Sequence, residues 1–301
     1  MNYEQFLLDY IPKNPEFIVL TAENRAAIRN LPNILKDNFI DTGITEQALI
    51  GISAGLALRG RKPLVHALAG FLTMRAFEFI RTDLGYGNLP VKVIGSFAGF
   101  LSEANGPTHQ AIEDIGLMRM IPNMKVFAPA DEDDMITMLP KILAIQSPAY
   151  IRYNNLPNTI THSEFDIGVA ELIGNGNNVA LLTYGTMVNE TIKVKAYLES
   201  KGINATIANF RTLKPIDENT IKELAIKSQL LVSIEDHFID SGLYSIISKI
   251  LYKNKIIKDI LPIGLNDRWF KPLMLQDIIK YEKFDYLSIS NQILNKLDEI
   301  I

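Results

Sequence analysis

Short apolar runs alternate along the chain with stretches whose apolar residues recur every three or four positions. FIVL (17–20), NFIDTG (38–43), PLVHAL (63–68), VKVIGSF (91–97), MKVFAP (124–129) and PAYIRY (148–153) read as strands. Residues 45–59, 71–84 and 131–145 read as the helices between them, the last opened by the acids Asp131 to Asp134, which suit a solvated first turn and the macrodipole. After a looser segment, NNLPNTITHSEFDIG (154–168), the alternation restarts: 177–185 is a strand, 186–202 a helix closed by Gly202, and 203–210 and 230–236 are further strands. The pattern predicts an α/β fold of two domains, each a mostly parallel sheet flanked by helices. The first domain takes residues 1–155, the linker 156–169 and the second domain 170–301.

Composition changes this picture little. A 301-residue chain with 48% hydrophobic and 21% charged residues is globular in character and long enough for two cores. The net charge of −4 recommends neither nucleic acid nor a membrane surface as partner. Cysteine is absent, which removes disulfides, thiolate metal sites and cysteine nucleophiles together. The N-terminal MNYEQFLLDYIPKN is not a signal sequence and no apolar run reaches a membrane span, so a cytoplasmic protein is expected. His66, His109, His162 and His237 are too dispersed for a metal-ligand pattern, and no metal site is expected from this chain alone.

The most informative stretch is ITEQALIGISAGLALRG (44–60). Thr45 is the expected N-cap and Gly60 lies just past the end. Gly51 and Gly55, four apart, share a face and permit close approach of another backbone. A tightly packed core helix accounts for the glycines, but not for an acid, Glu46, at its mouth.

Context supplies a reason. IxEQ with its small-residue helix is followed by LAGFLTMRAFEFIR (68–81), NGPTHQAIEDIGLMRMIPN (105–123) and FAPAD (127–131). In that order, through residues 38–153, these resemble the pyrimidine-binding domain of transketolases and of deoxyxylulose-phosphate synthase. IEDHFIDSGL (234–243) makes the second half similar to the transketolase C-terminal domain. The resemblance implies thiamine diphosphate, whose thiazolium carbon carries the hard step. It also implies that Glu46 shares a proton with the aminopyrimidine ring, that Phe71 stacks on that ring, and that Leu68 (where the family usually has a second aromatic) and Ile44 complete the slot. His109, inside GPTHQ, matches a family histidine near the reacting carbonyl of the sugar.

The pattern breaks where the family reads substrate. Phe97 stands in place of a donor-binding histidine and Asn105 in place of an aspartate that contacts a substrate hydroxyl. The arginine that grips the sugar phosphate corresponds to Tyr153 or its neighbour Arg152, and Arg25 stands where the family has a small-residue loop. These departures predict a two-carbon ketol transferase with a non-standard sugar substrate. No GDG, the family mark of the domain that holds diphosphate and Mg2+, occurs in the chain. The expectation is therefore the C-terminal half of a split enzyme, an α2β2 assembly in which a separate N-terminal subunit carries the diphosphate and most of the magnesium contacts. Two other readings stay open: the beta subunit of a 2-oxoacid dehydrogenase's decarboxylating component, and a non-catalytic subunit that completes an assembly.

Overall fold

The computed structural model describes residues 1–24 and 27–300. The first sheet contains β1 (Phe17–Thr21), β2 (Phe39–Asp41), β3 (Lys62–Leu68), β4 (Lys92–Ser96), β5 (Lys125–Phe127) and β6 (Ala149–Arg152). The second contains β7 (Glu171–Ile173), β8 (Val179–Thr183) and β9 (Ala205–Asn209). The short β10 (Thr212–Lys214) returns to the first sheet, and β11 (Leu230–Phe238) and β12 (Ile260–Leu265) complete the second. Every residue of β1, β4 and β8 is buried, as parallel strands covered on both faces require.

The first sheet runs β10-β5-β6-β4-β3-β1-β2, and all its neighbours are parallel except β10 against β5. That edge strand comes from the second half of the chain and ties the halves together. The second sheet runs β12-β11-β8-β9-β7, with only β7 antiparallel. One buried cluster passes from Ile18 and Val93 of the first half to Leu182 and Phe210 of the second.

In both sheets the chain reverses its direction of winding. From β1 it steps to β2 on one side, and β3 lies on the other; from β8 it steps to β9, and β11 lies opposite. A crevice opens beyond the carboxyl ends of the strands at such a reversal, and open α/β sheets bind ligands there. No helix among the described residues is long and apolar enough to cross a membrane.

One local expectation is corrected. Residues 71–86 are not a regular helix but two wide π-type turns, Phe71–Arg75 and Ile80–Tyr86, around the short Phe77–Phe79 turn. The first closes through Ala76 N–H to the Phe71 carbonyl at 3.0 Å, while the Thr73 hydroxyl bonds back to the Ala69 carbonyl at 2.8 Å. Thr45 takes the N-cap position of the Glu46–Leu58 helix, its carbonyl accepting from Leu49 N–H at 2.9 Å, but its hydroxyl donates to the Thr42 carbonyl at 2.9 Å rather than capping the first turn. Gly51 and Gly55 face open space, where a Cβ on either would meet nothing within 4 Å.

Candidate active site

The reversal between β1 and β3 holds a cavity of about 340 Å3 lined by Ala22, Glu23, Asn24, Ile44, Glu46, Leu68 and Phe71. The chain leaving β1 supplies its first three residues, the entry to the Glu46–Leu58 helix supplies Ile44 and Glu46, and the end of β3 supplies Leu68 and, just beyond, Phe71. All four cofactor-side candidates thus share one cavity.

Glu46 is 2% exposed and accepts a 2.9 Å hydrogen bond from Arg75 Nη1. The wide turn at Phe71–Arg75 lays the same guanidinium 4.1 Å over the centroid of the Phe71 ring. Phe71 in turn meets His109, ring centroids 5.2 Å apart and tilted by 56°. His109 Nδ1 lies 2.8 Å from the Thr108 hydroxyl, which leaves its other nitrogen for a ligand.

Does this slot suit an aminopyrimidine? Two observations say that it does. The guanidinium of Arg75 is a flat, hydrogen-bearing group that stacks on Phe71 while donating to Glu46. A flat ring with protonated nitrogen at its edge satisfies the same two faces. Asn24, on the cavity wall, has a buried amide nitrogen with no hydrogen-bond partner, a donor available to a bound group.

Phe97 and Tyr153 come together beside it. They line a smaller cleft of about 90 Å3 with Ala27, Ser96, Leu101 and Asn155. Ser96, at the end of β4, is the register partner of Leu68, so the two cavities flank one strand pair. Phe97 takes φ +59° and keeps 38% of its surface exposed. A phenylalanine held in the left-handed region is an uncommon conformation that clusters at functional sites. Burial pushes the Tyr153 hydroxyl well above the usual phenol range, helped by Glu132 and Glu4, so it stays protonated.

Other candidates fare differently. Asn105 is exposed and donates to the Ser102 carbonyl at 2.8 Å, lining neither cavity. Arg25 lies outside the described residues. Arg152 is corrected outright. It is buried, its Nε and Nη2 fork onto Asp114 at 2.9 and 2.6 Å, and its Nη1 reaches Asp236 at 2.6 Å. With its fork committed to two carboxylates, it cannot also grip a sugar phosphate. Burial would raise the Asp114 carboxyl, but the Arg152 guanidinium overrides this and holds it below the usual carboxylate range. Among the described residues no lysine or arginine lines either cavity.

Arg75, Asn24, Asp114 and Asp236 were not singled out from sequence. Arg75 stands four residues after Phe71, a spacing at which two residues on one helix face meet. Asp114 and Asp236 end the two IED triplets at 112–114 and 234–236, a repetition visible in the sequence.

Residues 3–156 match the family model for the transketolase pyrimidine binding domain, and residues 168–286 match that for the transketolase C-terminal domain. The 6-deoxy-6-sulfo-D-fructose transketolase subunit SqwH of Clostridium sp. (strain MSTE9) is 33% identical over 94% of this chain and 88% of its own. A 1-deoxy-D-xylulose-5-phosphate synthase of Dictyoglomus thermophilum is 32% identical, but the chain spans only 48% of it. Among solved structures, a split gene transketolase described as an inactive beta4 tetramer superposes with a TM-score of 0.88 at 29% identity, over 98% of this chain and 97% of that one.

Proposed function

The chain belongs to the transketolase family, and from that premise we propose that it is the C-terminal section of a two-chain transferase that moves a two-carbon ketol unit between sugars. The family is thiamine diphosphate-dependent, and the observation that carries the reading is the slot in which Glu46 and Phe71 grip one flat donor group. When bound, the cofactor supplies a carbanion at its thiazolium ring.

The chain's own residues have definable tasks. Glu46, itself 2% exposed, is placed to share a proton with the edge of the pyrimidine. Phe71 fixes the plane of the ring, Leu68 and Ile44 close its apolar sides, and the free Asn24 amide offers one further donor. His109, one ring away from Phe71, orients the sugar carbonyl by hydrogen bonding.

The names of two relatives support a partner chain, an N-terminal section to which we assign Mg2+ and the diphosphate. Two relatives matched over nearly their whole length are called, in their own names, a transketolase subunit and a split gene transketolase. We assign the pair an α2β2 assembly. On the substrate side, Phe97 cannot reproduce the hydrogen bond of a histidine, and Asn105 removes a negative charge. Losing such a contact costs roughly 1–3 kcal/mol when its partner stays buried. We assign the enzyme a sugar other than the common ketose phosphates, and the sulfo-sugar named for one relative heads the donors to try.

The test is to co-purify the chain with an N-terminal transketolase section and screen donors with and without it. Ketol transfer by the pair, none by the chain alone, and poor turnover of xylulose 5-phosphate with ribose 5-phosphate are expected. Consumption of pyruvate with release of CO2 would replace the reading by that of an acyl-transferring relative or a 2-oxoacid dehydrogenase component. Full activity of the single chain would end the two-chain proposal.

A further inference from the structure

The loop that leaves β4 carries Phe97, Asn105 and His109, yet its fastenings lie in the second half of the chain. The Phe100 ring is fully buried in the second half's core, edge-on to Phe270 at 5.1 Å and to Phe284 at 4.9 Å. Further along, Phe238 N–H donates to the Ile112 carbonyl at 2.9 Å, and Gln110 Nε2 donates to the Phe270 carbonyl at 2.9 Å. Leu275 N–H meets the Glu103 carboxylate at 3.3 Å.

The start of the loop is gripped by one acid. Asp236 Oδ2 accepts from Phe100 N–H at 3.2 Å and from the Thr186 hydroxyl at 3.1 Å, while Oδ1 takes Arg152. Gly99 makes the grip possible: it has φ +58°, and a Cβ there would stand 1.8 Å from Asp236 Oδ2. Asp236 lies near the carboxyl end of β11 and Thr186 just beyond β8, at the reversal of the second sheet. A ligand crevice belongs at that place in this architecture. Here the other half of the same chain fills it.

We propose that Asp236 is a positioning residue, and that the second sheet's crevice serves as a socket that fixes loop 97–112 and so sets Phe97 and His109 against the cofactor slot. The role rests on the reading above, in which this loop faces the sugar. The cofactor slot itself hangs on β1, β3 and the Glu46–Leu58 helix, so loosening the socket should disturb sugar binding and leave the slot alone.

Hydrogen exchange of the free chain and kinetics of the assembled pair together test this. In Asp236→Asn, one of the paired donors faces an amide N–H in place of an acceptor. Amides 98–112 should then exchange at least about tenfold faster, with those of the Glu46–Leu58 helix unchanged. In the pair, KM for the sugar donor should rise by about tenfold or more, with the Kd for thiamine diphosphate within twofold of the wild type. Glu103→Ala, which touches no buried charge, should give the same pattern at about threefold and carries the test if Asp236→Asn does not fold. Unchanged exchange and KM in the folded variants would overturn the proposal, as would cofactor affinity falling in step with KM. If the wild-type pair transfers no ketol unit, the functional reading fails first, and the exchange data still decide whether the socket holds the loop.

Discussion

Glu46 is buried but its cation is not: the carboxylate side chain is 2% exposed and that of Arg75 45%. The asymmetry makes the pair exchangeable. Arg75 itself loses little by turning out into water, because its side chain is already 45% exposed. Glu46, held in the wall, needs another donor in its place. A rigid acid facing a removable flat group is what proton sharing with a cofactor ring requires. Glu46→Gln keeps the shape and an acceptor for Arg75 but removes the shared proton, so steady-state turnover of the assembled pair should fall by about 10²–10⁴-fold. A drop smaller than threefold would move the chemistry elsewhere. At this scale the motifs IxEQ and GPTHQ led to residues that the fold brings together, Glu46 on the cavity wall and His109 against Phe71. It misled at Arg152, whose partners stand 38 and 84 residues away, because a buried clamp and a ligand-binding arginine look alike until both carboxylates are in place.

Elements were legible in kind more than in detail. Residues 131–145 read as a helix with an acidic start, and Glu132–Ala144 is one, capped by Asp131 at the Asp134 N–H. Residues 71–84 read as a helix too, but wide turns replaced it, because the Thr73 hydroxyl competes for the Ala69 carbonyl and a five-residue closure brings Arg75 over Phe71. The connecting segment looked merely polar, yet His162 within it bridges the halves, bonding Asp131 and Glu171 at 2.9 Å each. Burial would lower this imidazole, but the two carboxylates raise it to about 10; Glu171, which burial would raise, is held at about 2 by His162, Asn209 and the Ser163 N–H. The signs define a window. The raised histidine stabilises fully below about pH 6.5 and loses its contribution as pH climbs toward 10; the depressed Glu171 contributes above about 4.5 and loses it toward pH 2. Urea unfolding of His162→Ala should therefore show about 3–5 kcal/mol lost at pH 6 and a much smaller difference at pH 10. Equal losses at both values would show that the contribution is packing rather than charge.

The whole molecule is organised by its two sheet reversals, one kept open and one filled. Arg152 stands between them with Asp114 from the first half and Asp236 from the second, while β10 crosses to the edge of the first sheet, so the halves cannot move independently without breaking a buried charge network. What this leaves outward is the helix behind Glu46. Ile44, Ala48, Ile52 and Gly55 are exposed along it, Gly51 half so, although sequence patterning placed those glycines against another backbone. Under the proposal of an N-terminal section, this is the face on which that chain would pack. Gly55→Leu isolates the point. In the free chain the new side chain meets open space, and replacing a helical glycine favours the helix by up to about 1 kcal/mol, so the melting temperature should hold or rise. Against a partner packed on the glycine face the same side chain is an obstruction, so size-exclusion chromatography should show the variant failing to enter the complex, with activity lost in proportion. A Gly55→Leu chain that assembles and turns over normally would put the partner on a different face of the molecule.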